Sequence, residues 1–218
     1  MELYYYLPPK IKTTFERVKM PITFNDILQP SQLTRDELLA RINSQPHFCR
    51  DQTSIELKHF TGTVQTSIVL YAVNLEQQII GALTFSFSLT TENNKITDNS
   101  KKIILFHGIC SPVKLGIGTL LINKLIEIAH ANQVIYIELD CNNDKLVKYY
   151  KKFGFKVTRT EEISDDDSDD EEEESIIKHY MKLELSNASG GVTRRSRRSR
   201  RSKSQKNKYK KTFRNNKK

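Results

Sequence analysis

Two glycines stand two residues apart in Leu115-Gly116-Ile117-Gly118-Thr119, between an apolar run, Lys102–Cys110, and a segment with an apolar stripe, residues 117–133. The run reads as a strand and the striped segment as a helix, and a second apolar strand, residues 134–139, follows at once. Strand, glycine turn, helix and strand in that order aim backbone N–H groups at an anion, because the first amides of a helix have no internal partner. Glycine at both positions lets a bulky phosphate approach the main chain where a Cβ would collide. The stretch therefore reads as a phosphate cradle. A dinucleotide fold accounts for it only in part. Leu121 stands where the third glycine of G-x-G-x-x-G belongs, and the turn follows a series of strands with one crossover in view, although Glu138 lies about where a ribose-binding acid would sit. A P-loop fares worse, because no Gly-Lys-Ser/Thr follows.

The elements that must position this turn are legible from residue 34 onward. Thr34-Arg35-Asp36-Glu37 is a capping box, and Leu38, Leu39 and Ile42 continue it as a helix to about Asn43. Residues 54–59 read as helical or extended without a decision. Residues 67–74 and 79–89 are β-branched and aromatic runs on either side of the polar turn Glu76-Gln77-Gln78, a hairpin that leads through polar residues 90–100 into Lys102–Cys110. After the strand 134–139, Asn142-Asn143-Asp144 opens a short helix with Leu146, Tyr150 and Phe153 on one face and Gly154 at its end. Residues 155–159 and 176–185 read as a last pair of strands. Residues 1–30 say less: an aromatic start ends in Pro8-Pro9, and a strand over 18–24 is interrupted by Pro21.

The charge is unevenly spread. The 218 residues carry a net +9, yet residues 193–218 hold 14 Lys/Arg and no acid, while residues 161–174 hold 11 Asp/Glu and no base. Removing those 14 from the total of 35 leaves 21 basic against 26 acidic residues over 1–192, a net of −5, so an argument for nucleic acid rests on the tail alone. That tail begins with Arg-Arg-Ser triplets over 194–202, a chemistry suited to salt-sensitive binding of nucleic acid or to nuclear import. Cys49, Cys110 and Cys141, odd in number and without clustered spacing, argue against a disulfide framework and against a zinc site. No apolar run suggests a leader or a membrane span, so the expectation is a soluble intracellular protein, cytoplasmic or nuclear, with no membrane partner.

The block from Ile109 to Phe155 resembles the GNAT superfamily of acetyl-coenzyme A-dependent acyltransferases. Lys114-Leu115-Gly116-Ile117-Gly118 covers the end of that family's pyrophosphate turn, Arg/Gln-x-x-Gly-x-Gly/Ala, with Val113 at the Arg/Gln position. Asn143, then Tyr150 and Phe153-Gly154-Phe155, are similar to its Asn…Tyr-x-x-x-Gly-Phe signature at the same spacing, and Ile137-Glu138-Leu139 looks like the Leu-Glu-Val strand of the protein N-terminal acetyltransferase branch. The resemblance implies acetyl-coenzyme A as cosubstrate. Ile109, Lys114, Leu115, Gly116, Ile117, Gly118 and Thr119 would hold it, with Asn143 on the pantetheine arm; the alternative for Asn143 is a helix cap. It also implies an α/β fold with a central mixed, mostly antiparallel sheet and helices on both faces. The sheet would be splayed between its fourth and fifth strands, those ending near Ile109 and Leu139.

Acetyl transfer to an amine needs a free base as nucleophile, whereas a lysine has a pKa of about 10.4 and an α-amine about 8, so a proton acceptor is required. Glu138 is the candidate: Ile137 and Leu139 turn it to the face opposite their own, and the resemblance gives that position the base role. The alternative is a solvated strand glutamate, and His107 is the reserve. Tyr150, twelve residues on, is the acid for the departing sulfur by the same resemblance, or else a packing aromatic. Together these readings give one domain, residues 1–186, with an acidic disordered loop at 164–175 and a disordered basic tail at 187–218. The function expected is acetyl transfer to a primary amine, of a protein or peptide, basic ones included. The second reading is a catalytically weak module that binds nucleic acid through its tail. The sequence is silent on oligomeric state.

Overall fold

The computed structural model describes residues 1–8, 22–24, 28–45, 48–49, 60–64, 66–91, 96–97, 100–111, 115–163 and 176–185. Val113, Lys114, residues 54–59, the acidic block 164–175 and the basic tail 187–218 lie outside them. A compact unit spans Met1–Asn187. Its strands are β1 (Glu2–Tyr6), β2 (Gln29–Pro30), β3 (Ile68–Val73), β4 (Ile79–Leu89), β5 (Lys102–Cys110), β6 (Tyr136–Cys141), β7 (Lys156–Ile163) and β8 (Ile176–Glu184). Helices are α1 (Arg35–Asn43), α2 (Ile117–Ala131) and α3 (Asp144–Lys151), and the described residues 60–64 are helical as well. One mixed sheet runs in the order β2-β1-β3-β4-β5-β6-β8-β7, with β1–β2 and β5–β6 parallel and the other neighbours antiparallel.

Both faces of the sheet are covered over its middle, which is why β3 reads as an unbroken apolar run and is buried at every position. On one face α2 lays Leu121, Ile122, Leu125 and Ile128 against Leu83, Phe85, Ile104 and Ile137, in a core that also takes in Val147 and Tyr150 of α3. On the other, Leu38 and Ile42 of α1 pack with Phe48, Phe60, Val64, Val69, Tyr71 and Ala82. The capping box forms as its sequence dictates: Glu37 N–H donates to Thr34 Oγ1 at 3.3 Å, and the Glu37 carboxylate accepts from Thr34 N–H at 2.8 Å. At the far end of α2, the buried Asn132 side chain accepts from Thr23 N–H at 2.8 Å and donates to Thr23 O at 2.6 Å, clasping residues 22–24 to the helix.

Several expectations shift. The aromatic start is a strand, β1, paired with β3, whereas residues 22–24 are not in a strand. β6 continues two residues past Leu139, and β7 extends to Ile163 because it keeps pairing with β8. The reading of the cysteines is corrected. Cys49 and Cys110, 61 residues apart with Cα atoms at 4.8 Å, form a disulfide that ties the segment after α1 to the end of β5. Sequence spacing was silent because the folded backbone alone brings those two Cβ atoms together. Cys141 is free and buried, and burial pushes its thiol pKa up. Among the described residues no helix is long and apolar enough to cross a membrane.

The bridge sets an alkylation pattern. Protein denatured without reductant is expected to take up one thiol label, at Cys141, and three labels after reduction; mass spectrometry reporting three labels before reduction would remove the bridge.

Candidate active site

The parallel ladder between β5 and β6 runs Ile104–Ile137, Leu105–Glu138, Phe106–Leu139 and then stops. Each strand nonetheless stays paired on its outer side, β5 to β4 as far as Cys110 and β6 to β8 as far as Cys141. Two edges held from outside and released from each other leave a wedge in the sheet. A cavity of about 380 Å³ occupies it. His107, Gly108, Ile109 and Cys110 line one side and Leu139, Asp140, Cys141 and Asn142 the other. Phe60 borders it from the α1 face, Leu146 and Tyr150 from the α3 face, so the cavity passes through the sheet rather than lying on it.

The glycine turn sits beside this wedge. Gly116 takes φ +71° as N-cap of α2, a conformation that favours glycine, and it gives the helix no side-chain cap. The first amides of a 15-residue helix therefore end in an uncapped, exposed turn, and nothing lies within 4 Å of where a Gly116 Cβ would be. An anion fits this arrangement on both counts. Gly118 has another reason. A Cβ there would lie 2.9 Å from Tyr149 Oη and 3.1 Å from Ser111 Oγ, so its missing side chain admits α3 and the end of β5 rather than a ligand. Ile109 Cδ1, 3.5 Å from the same point, joins the first turn of α2 to the cavity wall.

Tyr150 is 6% exposed, with its ring edge-on to Phe106 and Phe155, yet it lines the cavity. Burial raises its pKa far above the usual phenol range, so it remains a neutral donor. Asn143 Oδ1 accepts from Lys145 N–H at 2.8 Å, which makes the residue the N-cap of α3. Glu138 does turn away from Ile137 and Leu139, and so from Tyr150, which shares their core. Its carboxylate lies 3.2 Å from Lys182 Nζ on β8, opposite Leu105, within the paired part of the ladder and outside the cavity lining. Burial depresses the Lys182 pKa, but the hydrogen bond it donates to Glu138 and the charge of that carboxylate leave it raised overall.

Among the wall residues, the sequence reading missed Phe60, Asp140, Leu146 and Lys178 as contributors to the site. Asp140 was within reach, since it lies two residues from Glu138 on the same strand and so on the same face. Lys178, whose Nζ is 3.0 Å from Asp140 Oδ2, and Phe60 arrive from distant chain segments and leave no local signal.

The model of the acetyltransferase (GNAT) family matches residues 37–155, just over half of the chain, from α1 through the wedge and the glycine turn to Phe155. The chain belongs to that family. A probable N-acetyltransferase, san, of Drosophila melanogaster is 32% identical over 71 residues, which are 30% of this GNAT chain and 39% of that relative. Among solved structures, Naa20 of Chaetomium thermophilum in complex with a bisubstrate analogue is similar at 20% identity with a TM-score of 0.48, covering 71% of this chain and 85% of that one. NAA60 of Arabidopsis thaliana in complex with acetyl-CoA is similar at 13% identity with a TM-score of 0.47, covering 69% and 93%.

The Gly118 contact yields a coupling experiment. Gly118→Ala is expected to destabilise the GNAT domain by about 1–3 kcal/mol through overpacking, and Tyr149→Phe in the same chain to recover part of that loss. Additive losses in denaturant melts would show that the two groups do not meet.

Proposed function

We propose that this GNAT domain transfers an acetyl group from acetyl-coenzyme A to a primary amine of a protein or peptide. The observation that carries the reading is the broken β5–β6 ladder with the uncapped N-terminus of α2 beside it. A phosphate-bearing, extended cosubstrate needs an anion site and a slot through the sheet, and these residues offer both. The fit includes Leu115, Gly116, Ile117 and Thr119 around the turn, Ile109 on the wall, and Asn143, which would reach the pantetheine arm through its amide nitrogen. Lys114 would add a cation, replacing the one that Val113 does not supply.

When bound, the cosubstrate supplies a thioester carbonyl for attack. Helix α2 contributes amide N–H groups and the positive end of its dipole to the phosphates. Tyr150, kept neutral by burial, donates its hydroxyl proton toward the sulfur side of the cavity. The opposite face of the sheet supplies a proton acceptor for the incoming ammonium group; Glu138 and His107 both point there. The similarity to a probable N-acetyltransferase supports an amine as acceptor. A basic acceptor agrees with chain connectivity: Ile163 and Ile176, both on the cavity lining, are the two ends of the connection that carries the acidic block 164–175.

Thermal melts test the reading. Acetyl-coenzyme A at 100 times its Kd is expected to add about 2.7 kcal/mol of stability, a rise of several degrees, and NAD none. No rise with acetyl-coenzyme A would overturn the assignment. Tyr150→Phe is expected to lower turnover about 100-fold, and by the same factor at about pH 6 and about pH 9, because the buried phenol keeps its proton throughout. A loss confined to high pH would contradict the donor role.

A further inference from the structure

Resting on the acetyl-transfer reading, we infer that His107, held by Ser86, is the group that takes the proton from the attacking amine. The register of the sheet singles it out. Thr84 on β4 pairs with Gly108, and Phe85, the next residue, pairs with Phe106, which leaves His107 as the extra residue of a β-bulge. Bulges bend a strand and re-aim a side chain. Phe106 points into the α2 core, but a Cβ on Gly108 would meet Phe60 Cδ2 at 3.3 Å, on the α1 face. The bulge has thus turned the strand over, with the His107 ring on the side of Ser86, whose Oγ lies 2.8 Å from Nε2.

Position favours His107 over Glu138. His107 is the first residue of β5 beyond the last shared rung with β6, it is exposed, and it lines the cavity. Glu138 lies within the paired ladder, bound to Lys182 and outside the lining. The Ser86 bond survives a change of protonation, since a serine hydroxyl either donates to a neutral ring nitrogen or accepts from its N–H. Among the described residues, Asp140 and Cys141 on β6, Lys178 on β8 and Tyr150 on α3 share the cavity lining with His107, and Ser86 of β4 holds its ring. Asp140 and Lys178 pair at 3.0 Å and largely offset each other. Base and acid then lie on opposite sides of the gap, His107 on the α1 face and Tyr150 on the α3 face.

The step balances. The acceptor ammonium gives one proton to the His107 imidazole, and the freed amine forms a C–N bond to the thioester carbonyl. The C–S bond breaks, and the departing sulfur takes the Tyr150 proton. The new amide nitrogen sheds its second proton to return the phenol, and the imidazolium releases its proton to water.

The test measures turnover against pH with labelled acetyl-coenzyme A and an amine-bearing peptide, for wild type, His107→Gln, Glu138→Gln and Ser86→Ala, with acetyl-coenzyme A binding measured for each. His107→Gln is expected to lose about 100-fold or more at neutral pH and to move the acid limb up to the amine's own pKa, about 8 for an α-amine and about 10.4 for a lysine, with donor affinity kept within about twofold. Glu138→Gln should keep the limb, and Ser86→Ala should displace it along the pH axis. A wild-type limb in His107→Gln, or a limb moved up to the amine's pKa by Glu138→Gln, overturns the inference and leaves the acetyl-transfer reading intact. A wild type that binds no acetyl-coenzyme A overturns that parent reading and this inference with it.

Discussion

The structure depends on a hydrogen-bond ladder that ends early. Between β5 and β6 the rungs cease after Phe106–Leu139, while the outer neighbours of both strands go on pairing to Cys110 and Cys141. Strands released from each other without outside support would fray or re-pair, because an exposed edge is a template for another strand. Here β4 and β8 hold the two edges apart, and the apolar layers above and below fix the angle. The Cys49–Cys110 bridge adds a covalent hold at the tip of β5. What results is a slot through a sheet that is otherwise continuous from β2 to β7.

The two faces of that slot differ chemically. On the α2–α3 side Tyr150 lies among Phe106, Tyr149 and Phe155, where low polarity keeps its phenol neutral. On the other side β6 and β8 present alternating charges, Glu138 with Lys182 and Asp140 with Lys178, over the rings of Tyr136 and Tyr180. Such partly exposed pairs contribute little to stability. Their effect is local: each carboxylate is already engaged, which bears on which of them is available to a ligand.

Much of this was legible in the chain. Thr34 and Glu37 announce α1, the β-branched, aromatic and apolar runs give β3, β4 and β5, and the glycine turn gives the start of α2. The facing of Glu138 followed from its apolar neighbours. What escaped depends on register or on distant pairing. Leu3 to Tyr6 are half-buried throughout, so β1 has no alternation to reveal it. The bulge at His107 exists only relative to β4, and Cys49 meets Cys110 across 61 residues. Gly118 was read as making room for a phosphate, but the atom it spares is a tyrosine oxygen on another helix. A residue type shows that space is needed and is silent on who needs it.

The Asn132 clasp on Thr23 spans 109 residues, and β1 finds its main partner, β3, more than 60 residues downstream. Chain emerging from the ribosome presents Leu3-Tyr4-Tyr5-Tyr6 long before β3 or α2 has been made. That aromatic strand lacks its main partner until β3 has been synthesised, and the Thr23 clasp lacks its own until Asn132 has followed. The β1 pairing and the Thr23 clasp are thus contacts that close only after a long stretch of chain between their partners has been made.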